Sequence, residues 1–132
     1  MGAGEMLKTQ GRVESGLGDA AHWIALLADH YRRLTGETLF PGTLNVRLDE
    51  EWWAPKGARC LHGSEYGGKV SIYVIPCLFM GEPAWILRTK ANDRGDGDHP
   101  QTVVEIAART RLRNSCGLSD GDIVELELPI TL

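Results

Sequence analysis

Only one stretch of this chain repeats its apolar residues with a helical period, and most of the chain beyond it alternates in twos. From Ala20 onward, Trp23, Leu27, Tyr31 and Leu34 form one stripe, with Asp29, Arg32 and Arg33 away from it and Gly36 as a stop. A stripe of this kind predicts packing into a core rather than a surface for stacking bases. Downstream, Leu44, Val46 and Leu48 alternate with Asn45 and Arg47, and Val70, Ile72 and Val74 follow the same rule. Trp85-Ile86-Leu87 and Val103-Val104-Glu105-Ile106 are compact apolar runs, and Val124, Leu126 and Leu128 alternate with Glu125 and Glu127. With Gly11 to Ser15 as a further short strand, about six strands accompany one principal helix. No strand-helix series of the doubly wound kind is present, so the expected fold is mainly β, a small barrel.

The 132 residues suit a single domain and leave no room for two substantial cores. Residues 1–10 carry no period and are expected to be flexible, which assigns the barrel to 11–132. Lys and Arg number 14 against 18 Asp and Glu, a net charge of -4, so nothing draws the whole molecule to nucleic acid. A phosphate site would have to be built locally. No apolar run approaches the roughly 18 residues that span a bilayer, and the first residues lack a basic start leading into an apolar stretch. A cytoplasmic protein with no membrane partner is expected. Cys60, Cys77 and Cys116 are odd in number and widely spaced, which reads as reduced thiols.

The richest local signal is Phe40-Pro41-Gly42-Thr43-Leu44-Asn45, a turn running into a strand. Thr43 and Asn45 share the face opposite Leu44 and Val46. A neutral hydroxyl and a neutral carboxamide suit magnesium, which takes few protein ligands and completes its shell from phosphate and water. Gly16-Leu17-Gly18-Asp19 precedes the helix, where Asp19 can cap it, and free backbone N–H groups there would suit a phosphate. The run is neither a full dinucleotide fingerprint nor a P-loop, and taken alone an ordinary strand-to-helix turn is the commoner account of it.

Glu105 interrupts an apolar strand, so it either faces solvent by alternation or accepts hydrogen bonds from a ligand. Arg111 and Arg113 can present guanidinium forks to phosphate or simply remain solvated. Lys90 to Gln101, with Asn92, Asp93, Gly95, Asp96, Gly97, Asp98 and Pro100, reads as a mobile exposed loop that lacks the later Glu of a calcium-binding EF-hand. The four histidines show no zinc spacing with the cysteines, and no serine sits in a hydrolase elbow.

Taken in order, Gly11 to Asp19, Tyr31, Phe40 to Asn45, Glu105-Ile106-Ala107-Ala108 with Arg111-Leu112-Arg113, and Leu118 to Val124 resemble the archaeal CTP-dependent riboflavin kinases. The likeness runs from about Gly11 to Leu128. It implies a single-domain cradle-loop β-barrel that moves the terminal phosphate of CTP to riboflavin, giving FMN and CDP. By that resemblance Gly16, Leu17, Gly18, Asp19, Ala20 and Ala21 would border the nucleotide phosphates, with Thr110, Arg111, Leu112 and Arg113 completing the cytidine side. Thr43 and Asn45 would hold Mg2+, and Glu105 and Thr89 would contact the flavin. No general base is assigned. Ala20 stands where the family carries a second glycine, Ala107-Ala108-Arg109 replaces an apolar-Ala-Pro stretch, and the loop after Thr89 is longer than the family pattern. The separate N-terminal DNA-binding domain of some members is not expected. Two other readings stay open: a non-catalytic flavin- or nucleotide-binding barrel, and a kinase for another small alcohol.

Overall fold

The computed structural model describes residues 4–16 and 20–132. Strand β1 (Met6–Glu14) leads into helices α1 (Ala20–Leu26) and α2 (Ala28–Thr35), followed by β2 (Leu44–Leu48), the short β3 (Cys60–Leu61), β4 (Ile72–Phe79) and β5 (Glu82–Thr89). Helix α3 (Lys90–Arg94), β6 (Val103–Ala107), α4 (Leu112–Ser115) and β7 (Ile123–Pro129) complete the order. All pairings are antiparallel. The sheet order is β3-β4-β5-β6-β2-β1-β7, and β7 also pairs with β4, so six strands close on themselves with β3 as an outlier.

Alternation along each strand separates two cores. Val13, Val46, Ile75, Phe79, Ile86, Val104, Ile106, Val124, Leu126 and Leu128 fill the barrel interior, each contributing roughly 1.5–3 kcal/mol by leaving water. Their neighbours Val74, Leu87 and Ala107 face outward and meet Ile24, Leu27, Tyr31, Leu39 and Leu61 under the helices. Asn45 and Glu105 have this outward parity, and the register sets them side by side in the row Glu14, Asn45, Glu105, Leu87, Val74. The helices cover only part of that outer row.

The helical segment differs from a single continuous helix. It breaks at Leu27, with φ -103° and ψ 22°, so that α2 can turn Tyr31 onto the sheet. Gly36 stops α2 as its sequence position predicts, its N–H donating to the Arg32 carbonyl. The core stripe also shifts by one residue: Ile24 is 3% exposed and Trp23 45%. Strand β1 begins at Met6 rather than Gly11, because residues Met6 to Gln10 pair with β7 through backbone hydrogen bonds that leave no apolar alternation in sequence.

Lys90–Gln101 is not a freely exposed loop. It opens with α3, capped by the Thr89 hydroxyl, which accepts from the Asn92 N–H at 3.0 Å. Arg88 fastens both ends. Its guanidinium is 2% exposed, lies 4.9 Å over the Trp52 ring, and donates to the Trp52, Gln101 and Val103 carbonyls and the Asp93 carboxylate. Asp93 also accepts from the Ala54 N–H at 2.8 Å. The cysteines are all free, with Cys77 buried, Cys60 half-buried and Cys116 exposed. No helix among the described residues is long and apolar enough to cross a membrane.

Candidate active site

Two clefts meet on the outer face of the barrel beside α1. The first, about 340 Å³, is bordered by Gly16, Ala20 and Ala21, by Phe40 to Asn45, and by Thr110 to Arg113. Residues distant in sequence meet here because β2 lies between β1 and β6. Leu17, Gly18 and Asp19 lie outside the described residues. Arg113 is oriented by Asp120, at 2.6 Å, and by the Glu14 carbonyl, at 3.3 Å. Ser15 donates to the other Asp120 oxygen at 2.5 Å, which ties the end of β1 to the same carboxylate. The Ser15 hydroxyl and the Arg113 guanidinium hold Asp120 below the usual carboxylate range. Arg111 is held by the Asn114 side chain at 2.7 Å, and Thr110 by Ser115 at 3.1 Å.

The second cleft, about 480 Å³, is more apolar and takes its walls from Trp23, Ile24, Tyr31, Tyr66, Val70, Ile72 and Leu87, with Thr89, Asn92, Asp98 and His99 along one side. Ala20, Thr43 and Glu105 border both clefts. Glu105 therefore stands on the partition. Its side chain faces outward, is only 24% exposed, and lies 4.0 Å from the His99 imidazole. Burial pushes its carboxyl above the usual range, against the pull of His99, the Thr43 hydroxyl and Arg88. Burial, with Tyr66 and Glu105 nearby, likewise keeps the Tyr31 phenol protonated.

Thr43 and Asn45 offer a metal two uncharged oxygens. Thr43 donates its proton to Glu105 at 3.2 Å, which leaves the hydroxyl lone pairs free to act as ligands. Asn45 is 4% exposed, and a Cβ built on Gly16 would come within 3.0 Å of its carboxamide. A side chain at position 16 would crowd the carboxamide, which would have to give by a few tenths of an ångström. Among the described residues no cluster of three His, Cys, Asp or Glu could form an all-protein cage. Two hard neutral ligands beside an open cleft fit magnesium that is also held by phosphate.

Of the residues singled out in sequence, Gly16, Ala20, Ala21, Thr43, Asn45, Glu105 and Thr110 to Arg113 line one cleft, and Thr89 lines its neighbour. Thr89 spends its oxygen on capping α3. Trp23 and His99 were not foreseen at the site. Trp23 shares the helical stripe of true core residues, and His99 approaches Glu105 only through the folded course of a loop.

A family model named CTP-dep_RFKase and described as a domain of unknown function, DUF120, matches residues 13–128. The chain is 30% identical to a riboflavin kinase of Methanospirillum hungatei, covering 94% of this chain and 58% of that protein. Identity is 37% to a riboflavin kinase of Pyrobaculum aerophilum, over 89% of this chain and 59% of the relative. With the Methanopyrus kandleri riboflavin kinase it is 30%, over 89% of this chain and 80% of the relative. The chain spans 58% to 60% of the length of the first three relatives it matches. A match across nearly all of the barrel, joined to this arrangement of clefts, shows that the chain belongs to the archaeal-type CTP-dependent riboflavin kinase family.

Proposed function

We propose that the protein is a cytoplasmic, magnesium-dependent kinase that transfers the terminal phosphate of CTP to riboflavin, yielding FMN and CDP. The observation that carries this reading is the common partition of Ala20, Thr43 and Glu105 between a polar cleft and an apolar one. A nucleotide triphosphate suits the first, where Arg111 and Arg113 supply guanidinium groups and Gly16 permits close backbone approach. A flat tricyclic ring suits the second, whose aromatic and aliphatic walls end in a polar edge.

Phosphoryl transfer asks chiefly for in-line positioning and charge neutralisation. Magnesium bound at Thr43 and Asn45 would supply the second of these. The flavin hydroxyl, brought past the partition, attacks the terminal phosphorus as the bond to the departing CDP oxygen breaks, and the hydroxyl proton passes to solvent. Thr43 aligns the two halves by bonding Glu105, and Glu105 accepts a hydrogen bond from the flavin. No covalent enzyme intermediate is needed.

The test is an endpoint assay with riboflavin, magnesium and CTP, ATP, GTP or UTP in parallel, with FMN separated by chromatography. FMN formed chiefly from CTP is expected. Folded protein that binds riboflavin but forms no FMN with any donor would overturn catalysis in favour of a binding barrel.

A further inference from the structure

Trp23 is the anomaly of α1. It belongs to the stripe that includes Leu27 and Tyr31, yet it is 45% exposed while Leu27 and Tyr31 are 5% and 2%. The His22 imidazole meets its ring edge-on at 5.4 Å and 75°. It borders the apolar cleft together with Tyr66 and with Val70, itself 48% exposed. Gly97, Asp98 and His99 border the same cleft. A Cβ at Gly97 would fall 1.6 Å from the Asn92 Oδ1, so backbone rests directly on the buried Asn92. His99 N–H donates to the same oxygen at 3.3 Å.

An exposed indole and a length of backbone thus border one apolar cleft. From this we infer that Trp23 is a specificity-determining residue that stacks on the ring system of the acceptor and selects a planar polycyclic alcohol over a small aliphatic one. The inference rests on reading the apolar cleft as the acceptor site. Stacking explains the exposure: an aromatic face left uncovered by the protein is covered when the ring binds. It also divides the labour within the cleft. Glu105 recognises polar groups on the acceptor, whereas Trp23 recognises its flatness and gives little preference among rings of similar area.

The experiment compares wild type, Trp23→Ala and Trp23→Phe by two readouts: steady-state KM for riboflavin and for CTP, and quenching of riboflavin fluorescence without nucleotide. Trp23→Ala is expected to raise the riboflavin KM about tenfold, to leave the CTP KM within about twofold, and to abolish most of the quenching. Trp23→Phe should restore most of the riboflavin affinity, since a smaller ring still stacks. Wild type that forms FMN, together with a folded Trp23→Ala that keeps its riboflavin KM and quenching, would overturn this inference alone. Equal losses for riboflavin and CTP would overturn it too, in favour of a structural role. Wild type that neither quenches riboflavin nor forms FMN would overturn the parent reading and this one with it.

Discussion

The Thr43 hydroxyl donates to the Glu105 carboxylate across 3.2 Å, so a group proposed to touch the metal and a group proposed to touch the acceptor are held in one hydrogen bond. Glu105→Gln keeps the shape and an oxygen for Thr43 while removing the charge. Riboflavin binding should weaken about tenfold, as for a lost charge-assisted hydrogen bond, with CTP binding nearly unchanged. Calorimetric titration of each ligand checks this. Parallel loss of both, with a lowered Tm, would make Glu105 structural.

Asn45→Ala should lower magnesium-supported turnover by about 100-fold or more, the scale for removing a group that stabilises developing charge. The Tm should move little, since the carboxamide makes no hydrogen bond among the described residues. A magnesium titration of FMN formation separates the two effects, and unchanged turnover would remove Asn45 from the metal site.

Arg88→Met leaves the Asp93 carboxylate and three carbonyls without their buried donor. The expected cost is about 3–5 kcal/mol in urea unfolding. Adding Asp93→Asn should recover part of it by neutralising the stranded charge. A loss below about 1 kcal/mol would mean that water replaces the guanidinium without penalty.

Asp120 carries a pH signature. Its carboxyl is held down by Ser15 and Arg113, so its contribution is present above the ordinary aspartate range and is lost as pH falls through the folded value. Asp120→Asn should therefore flatten the acid limb of Tm against pH below about pH 4. The effect is small because the side chain is 53% exposed. Freed from its partner, Arg113 should also raise the CTP KM a few-fold, which a pH series at constant magnesium would record.

Much of the barrel can be read directly from the chain. Val124, Leu126 and Leu128 alternate and are buried in β7, and the same rule places Thr43 and Asn45 opposite Leu44 and Val46. Alternation gave Glu105 its outward parity but could not say that Thr43 and His99 flank it and that its side chain is only 24% exposed, so outward does not mean solvated here. Nor could periodicity separate Trp23 from Ile24, adjacent residues whose fates are decided by where the helix breaks at Leu27. Arg88 leaves no sequence signal at all, because its main-chain partners lie at positions 52, 101 and 103, where any residue type supplies a carbonyl.

Strand β7 seals the barrel on both sides, pairing with β1 from Met6 to Arg12 and with β4 at Leu78 and Phe79. These ladders join chain positions more than 100 residues apart on the β1 side. During synthesis every other strand must therefore wait, with β1 and β4 presenting open edges, until the final quarter of this sequence has emerged. Closure is a late, long-range event, which predicts slow folding for a domain of this size and a nascent chain that needs protection from edge-to-edge aggregation.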